Sequence, residues 1–170
     1  MRAVFLPLLL PMLAGAANAA EPTGCDKFAW PLAHERALLQ SPNKTAISSI
    51  SSQALDRAAS RAIALSLVPF GEAKLVMAPE RAPKTTNSFA GLAHFAGAGK
   101  PGTYKLTLSD GAWTDIIQDG KYVKSIAFSG AEGCSGVRKS VKFALGPSPF
   151  IVQISGASKD TIAFVLTPDN

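Results

Sequence analysis

Residues 113–128 read WTDIIQDGKYVKSIAF, and this stretch decides the fold class. Its two apolar runs are joined by Asp119-Gly120, a pair that favours a tight β-hairpin turn because both residues tolerate a positive φ. The run before the turn predicts a strand over residues 113–118, and the run after it predicts one return strand over residues 122–128. The stretch therefore indicates an antiparallel β protein.

Strand and turn signals of the same kind flank this hairpin on both sides. Alternating apolar residues, separated by turns rich in glycine, proline, serine or aspartate, predict further strands. One begins at Ala62, and the others lie at 74–77, 89–95, 103–108, 137–145, 150–154 and 161–166. Strands at this spacing predict an antiparallel, jelly-roll-like β-sandwich over residues 62–170.

The segment before the sandwich, residues 20–61, has a different pattern. Apolar residues near helical spacing predict a helix over residues 27–40, with Pro31 in its first turn. Residues 45–61 are rich in serine and alanine and allow either a second short helix, through Ile47 and Ile50, or a loop. We expect this helical or loop segment to pack on the sandwich.

The first residues of the chain have the pattern of an export signal. A positive start at Arg2 and a short apolar stretch precede Ala17-Asn18-Ala19, a small-residue cleavage site, so residues 1–19 read as a signal peptide. The apolar stretch is too short to cross about 30 Å of hydrocarbon, and no later stretch is longer. We therefore expect a periplasmic or extracellular protein that does not span a membrane.

The sequence has two cysteines, Cys25 and Cys134. Export places both in an oxidising compartment, where two lone cysteines most often pair, and the absence of a C-x-x-C motif argues against a redox role. A disulfide between them would clip the N-terminal segment onto the body of the domain.

Charge points to a class of partner. The chain carries 17 basic and 12 acidic residues, a net charge of +5, and losing Arg2 with the signal peptide leaves 16 basic residues. Export separates the chain from most nucleic acid, so a mild basic excess favours anionic cell-envelope polymers or glycans. The predicted binding patch is formed by Trp113, Lys121, Tyr122, Lys124, Arg138 and Lys142.

The prediction of this patch depends on the alternation of side chains along a strand. Arg138, Ser140 and Lys142 share one side of a predicted strand and would point away from its apolar side. The alternative interpretation is a solvated outer face whose lysines protect the sheet edges.

Catalytic motifs are not recognisable in the sequence, so we predict no catalytic residue, metal ligand or cofactor. A metal-dependent oxygenase would need His34 and His94, the two histidines, to converge with one acid. A secreted hydrolase would need two of the dispersed carboxylates to act together. Those carboxylates are Asp110, Asp115, Asp119 and Glu132. An enzyme of either kind is the alternative to a non-catalytic binding or structural module.

Several short motifs resemble a family of small exported bacterial proteins without established function. These motifs are CDKFAWPL at 25–32, GTYKL at 102–106, GAWTD at 111–115, QDGK at 118–121, AFSG at 127–130, GVRKSVKF at 136–143 and QISG at 153–156. Members sometimes carry the name homogentisate 1,2-dioxygenase, but the two histidines here do not align with the iron ligands of such enzymes. The strand pattern is also similar, more loosely, to pre-peptidase C-terminal β-sandwich domains. The resemblance brings no catalytic motif. Together with the charge and the export signal, we therefore expect a binding or structural module of the cell envelope, with an anionic polymer or a protein as partner.

Overall fold

A computed structural model describes residues 21–57, 61–97 and 99–169. The expected signal peptide, residues 1–19, lies outside these ranges. The described chain is mainly β, with two sheets of mixed strand orientation and one α-helix. Within these ranges, no helix has both the length and the apolar character needed to cross a bilayer.

The helix and the strands are numbered in chain order. Helix α1 is Ala33–Gln40, and short 3-10 turns lie at Cys25–Lys27 and Phe70–Glu72. The strands are β1 Thr45–Ser48, β2 Ala54–Leu55, β3 Ile63–Ser66, β4 Val68–Pro69, β5 Phe89–Phe95, β6 Gly102–Leu108, β7 Trp113–Gln118, β8 Lys121–Val123, β9 Ser125–Gly130, β10 Lys139–Leu145, β11 Phe150–Ala157 and β12 Thr161–Pro168.

The strands form two sheets. Sheet I has the order β1-β3-β12-β6-β10-β9, and sheet II has the order β2-β5-β11-β7-β8, with β4 also paired to β5. The expectation of a wholly antiparallel fold is wrong at two places, because β1 pairs with β3 in parallel and β2 pairs with β5 in parallel. The other strand pairs are antiparallel.

One hydrophobic core lies between the sheets. Sheet I contributes side chains such as Leu106 and Phe164, and sheet II contributes Ile116 and Ile154, all of them fully buried. The rings of Phe95 and Phe150, from neighbouring strands β5 and β11, stack with their centres 4.8 Å apart. This shared core holds the two sheets against each other.

The hairpin forms at the predicted turn. Asp119 and Gly120 have φ values of 52° and 71°, the left-handed conformation that a tight hairpin turn requires. The single return strand expected over residues 122–128 is wrong, however. The chain pairs with β7 only as far as Val123, crosses at Lys124, and continues as β9 in sheet I. A period-two pattern indicates only that residues are extended, and it does not show which sheet they join.

The N-terminal segment also differs from its prediction. The helix begins at Ala33, not at residue 27, so Pro31 lies ahead of the helix and not in its first turn. Within the described part of residues 45–61 the chain forms no second helix, and the loop alternative is wrong at two places, since this stretch supplies β1 to sheet I and β2 to sheet II. The short edge strands form because sheet partners elsewhere in the chain override weak local preferences.

The predicted disulfide between Cys25 and Cys134 is confirmed. It holds the N-terminal segment against the outer face of sheet I, where Leu32 and Leu39 pack on Val137 and Val165. Ser140, expected to point into solvent, is fully buried beneath this layer. Its hydroxyl lies 2.9 Å from Thr107 Oγ1 and accepts a hydrogen bond from Trp30 Nε1. A covering layer therefore occupies the side of β10 that the sequence pattern assigned to water.

A strap of residues 73–88 covers the outer face of sheet II. The strand expected at 74–77 is wrong, because the N–H groups of Val76 and Met77 donate to the side chain of Gln153 and not to a neighbouring strand. The Gln153 amide donates in turn to the carbonyl oxygen of Met77, at 3.0 Å. Gln153 is fully buried in β11, so it fixes the strap to the sheet.

Removing the disulfide should destabilise the fold. The bond closes a loop between cysteines 109 residues apart. Without it the unfolded chain has more conformational entropy, and in the chain-entropy model this lowers the free energy of unfolding by up to about 4–5 kcal/mol. The double substitution Cys25→Ser with Cys134→Ser should therefore lower the urea midpoint of unfolding. An unchanged midpoint would show that the clip contributes nothing to the stability of the fold.

The buried ion pair between Glu35 of α1 and Lys105 of β6 should make the free energy of unfolding depend on pH in the acid range. Burial alone would raise the pKa of Glu35, but the hydrogen bond from Thr167 and the Lys105 ammonium at 2.9 Å outweigh it, so the pKa lies below its ordinary range. This contribution to stability is present above the ordinary glutamate pKa of about 4.3 and is lost as the pH falls through the lower folded value.

Glu35→Gln should therefore lower the free energy of unfolding at pH 7 and flatten its decline in acid, as measured by chemical denaturation at several pH values. The matched control is Asp110→Asn, which removes the exposed pair with Lys159 and should change little. Parallel pH curves for Glu35→Gln and the unsubstituted protein would contradict this role for the pair.

Candidate functional site

A cleft of about 600 Å³ opens where sheet II loses its edge strand. Strand β8 pairs with β7 only at residues 116–118, so Trp113, Thr114 and Asp115 have no strand beside them on that side within the described ranges. The chain has crossed to sheet I at Lys124, and the strap runs past the gap. The cleft is therefore bounded by the start of β7, the strap, and strands β9 and β10.

Two cationic side chains lie over the indole ring of Trp113 in this cleft. Lys139 Nζ lies 5.1 Å from the centre of the indole ring, and the Arg81 guanidinium carbon lies 5.7 Å from it. The Lys139 ammonium also donates to the carbonyl oxygen of Ala112 at 3.1 Å. Within the described residues neither cation forms an ion pair with a carboxylate, so they are held by the ring and the backbone, with the more distant charge of Asp115 acting on Lys139.

The surroundings of Lys139 disfavour its charge. Burial lowers the pKa of Lys139, and repulsion from Arg81 and Arg138 lowers it further, while Asp115 acts in the opposite direction. An anionic group bound beside the lysine would oppose both the burial and the repulsion. The charge of Lys139 is therefore one that a nearby negative group would favour.

The same cleft also holds carboxylates. Asp115 is buried, and its Oδ1 accepts a hydrogen bond from Trp113 Nε1 at 2.7 Å. Burial raises the pKa of Asp115 despite that bond, and the charge of Glu80 on the strap raises it further. A ligand that fits here therefore needs hydrogen-bond donors as well as negative charge.

Two buried hydroxyl groups at the cleft are available to form hydrogen bonds with a ligand. The Oγ atoms of Thr114 and Ser155 have no hydrogen-bond partner among the described residues, and both residues line the cleft. A buried hydroxyl without a partner is unfavourable, and a bound ligand can satisfy it.

The predicted patch residues do not form one surface. Trp113 and Arg138 line the cleft, and Arg138 also pairs with Glu21 and Glu132. Tyr122 and Lys124 hold the strap, because the tyrosine hydroxyl donates to the carbonyl oxygen of Ala78 and the lysine pairs with Glu80.

The other two patch residues lie elsewhere. Lys121 is exposed at the start of β8, beside the hairpin turn. Lys142 lies on the opposite side of β10 from Lys139, where it pairs with Asp169 at 2.7 Å and lies over the Trp30 ring at 4.5 Å. The structure therefore places Trp113 and Arg138 at the cleft, whereas Lys142 does not line it.

The two histidines lie on opposite sides of the molecule. His34 is exposed on α1, outside sheet I. His94 lies in β5 between Ala93 and Phe95, whose side chains enter the core, so the imidazole points out of sheet II. Two packed sheets separate the imidazoles, and they cannot share a metal ion. Within the described ranges, no group of three or more histidine, cysteine or acidic residues is placed to hold one.

The predicted patch left out Lys139, the neighbour of Arg138, and it also left out Arg81 and Glu80. Arg81 and Glu80 stand in the proline-bounded segment PERAP at 79–83, which reads as a connection. A pair of opposite charges between two prolines was the available signal, because prolines stiffen a segment and fix where its side chains point. The position of Arg81 over Trp113 depends on the strap, and the strap was not predictable from periodicity.

Comparison with known proteins adds no relative. No protein-family model matches the chain, and searches of curated proteins and of solved structures found no significant match. The cleft itself is therefore the observation from which a function is inferred.

Removing the second cation should change the titration of Lys139. Arg81→Gln removes the nearby positive charge, so the pKa of Lys139 should rise toward its ordinary value, although burial will still hold it below that value. NMR titration of the lysine side-chain carbons measures the shift. Arg36→Gln, a change on the exposed side of α1, is the control and should leave Lys139 unaffected. An unchanged Lys139 titration in Arg81→Gln would refute the electrostatic coupling.

Proposed function

We propose that this chain is an exported, non-catalytic binding module of the cell envelope. Its fold is a jelly-roll-like β-sandwich, and the cleft beside Trp113 binds an acidic glycan or a related anionic polymer. The single observation that carries the proposal is the pair of cations, Arg81 and Lys139, that share the Trp113 ring without a carboxylate partner in the described chain.

The charge pattern favours a glycan over a simple anion. A uronate or similar group would lie between the two cations, where it would relieve their repulsion. Sugar hydroxyls would donate to Asp115 and accept from the unpartnered Ser155 hydroxyl. A bare phosphate or sulfate has few donors to offer, so the buried carboxylate would oppose it.

Export is supported by the disulfide and by the sequence at the start of the chain. A bond between Cys25 and Cys134 is compatible with an oxidising compartment, which is where an envelope polymer would be met. The signal peptide over residues 1–19 and the periplasmic or extracellular location remain part of the proposal.

A calorimetric titration tests the cleft directly. Protein recovered after export is titrated with a uronic acid oligosaccharide and, separately, with a neutral oligosaccharide of the same length. Only the acidic ligand should bind, and added salt should weaken it. The double substitution Arg81→Gln with Lys139→Met should reduce affinity by about tenfold or more, because at least one charge-assisted contact is lost.

Two single-residue changes separate this proposal from the flat patch predicted from sequence. Lys121→Met removes a positive charge outside the cleft and should reduce affinity much less than the double substitution. Asp115→Asn removes a negative charge inside the cleft but keeps an oxygen that can accept from a sugar hydroxyl, so it should strengthen binding of the acidic ligand. No binding of the acidic oligosaccharide, or an equal loss with Lys121→Met, would contradict the cleft proposal.

A secreted hydrolase is the second candidate function, and one observation favours it. Asp115 and Glu80 are close enough for the charge of one to raise the pKa of the other, and both line the cleft. Paired carboxylates with separated protonation are the requirement for glycoside hydrolysis. Asp115→Asn distinguishes the two candidates, since it would abolish turnover by a hydrolase but would strengthen binding by a non-catalytic module.

A further inference from the structure

Among the strands of the described ranges, β9 is an outer edge of sheet I with no strand on its far side. It reads SIAFSG over residues 125–130 and carries no charged residue. Four large apolar side chains are exposed in the described part of the chain, and β9 supplies two of them, Ile126 at 58% and Phe128 at 74% exposure. Exposed, uncharged edge strands favour pairing with another strand, and proteins usually protect such edges.

The backbone of β9 is oriented for such pairing. Ala131 N–H donates to the carbonyl oxygen of Arg138, so this residue pair is hydrogen-bonded toward β10. Bonded and non-bonded pairs alternate along an antiparallel ladder. The N–H and C=O groups of Gly130 and Phe128, at the alternate positions, therefore point away from β10 and toward the open side.

One end of this edge already accepts a strand. Glu132 follows Phe128 and Gly130 in the series of alternate residues whose backbone groups point away from β10. Its N–H donates to the carbonyl oxygen of Pro22, and its C=O accepts from the N–H of Gly24. Thr23 and Glu132 form a parallel bridge, so residue 19 would fall opposite Phe128 if the pairing continued. Cleavage after Ala19 would leave one residue ahead of Glu21. The exported chain would then be too short to cover Phe128 and Ile126.

We infer that β9 is a dimerisation edge, on which a second copy of this chain pairs its own β9 in the antiparallel direction. Such a pair would join two six-stranded sheets into one continuous sheet. A two-fold arrangement buries the same apolar side chains from both copies, and β9 has no charge to repel its own copy. The inference does not need the ligand proposed for the cleft, which Phe128 also lines, but it rests on the cleavage after Ala19 that the proposed function includes.

Charge at the two ends of β9 selects the antiparallel direction. The strand is preceded by Lys124, whose side chain is 79% exposed although it also pairs with Glu80. It is followed by Glu132, whose side chain is 63% exposed, and Glu132 and Glu21 share the single guanidinium of Arg138, so this end keeps an acidic excess. Antiparallel pairing places the basic start of each copy against the acidic end of the other, whereas parallel pairing would place like charges together.

Sedimentation of the exported protein over a range of concentrations tests the inference. The unsubstituted protein should form a dimer, and Phe128→Lys should shift the equilibrium to the monomer. Ile50→Lys is the matched control, because Ile50 is also an exposed apolar residue but lies outside β9, and it should leave the dimer intact. Arg81→Gln with Lys139→Met should also leave the dimer intact, so loss of ligand binding is distinguishable from loss of pairing.

Cysteine crosslinking tests the geometry. In a two-fold antiparallel pair, a residue near the centre of the strand faces its own copy, so Ala127→Cys or Phe128→Cys should form an intermolecular disulfide. Both native cysteines are already joined to each other, which leaves the new thiol as the only reactive one. A protein that stays monomeric at every concentration, or a dimer that crosslinks at neither position and survives Phe128→Lys, would overturn the inference.

Discussion

The central strands of both sheets are buried on both faces, and the rest of the structure follows from that constraint. The inner faces share one core. The outer face of sheet I carries small polar and apolar residues, such as Ser140 and Val165, that are fully buried beneath the N-terminal segment. The outer face of sheet II is covered by the strap that Gln153 holds. Antiparallel sheets often leave one face to water, but here each sheet requires a covering layer.

The two covers are attached in different ways, and one of them builds the cleft. A covalent bond from Cys25 to Cys134 attaches the N-terminal layer. Buried hydrogen bonds to Gln153 attach the strap, and the strap then carries Glu80 and Arg81 to the gap where β8 ends. Arg81 of the strap and Lys139 of sheet I both lie over the Trp113 ring. The candidate site therefore forms only when the strap is packed on the sheets.

The sequence predicts those parts of the fold whose signals are local. Asp119-Gly120 identifies the hairpin turn, and the strand predicted at 89–95 is β5 with the same bounds. The parallel strands β1 and β2 escaped prediction because their pairing partners lie elsewhere in the chain, and two to four residues carry little periodicity. Ser140 and Lys142 were assigned to solvent because alternation along a strand distinguishes its two sides but does not reveal that a layer covers the outer one.

The two tryptophans allow one measurement to test the central claim, that anionic ligands bind in the cleft. Each indole lies beside a lysine, Trp113 by Lys139 in the cleft and Trp30 by Lys142 on the far side of sheet I. Titration with a uronic acid oligosaccharide, followed by NMR of the indole N–H signals, should move the Trp113 signal and leave Trp30 in place. Movement of Trp30 with Trp113 unchanged, or no movement of either, would contradict the claim.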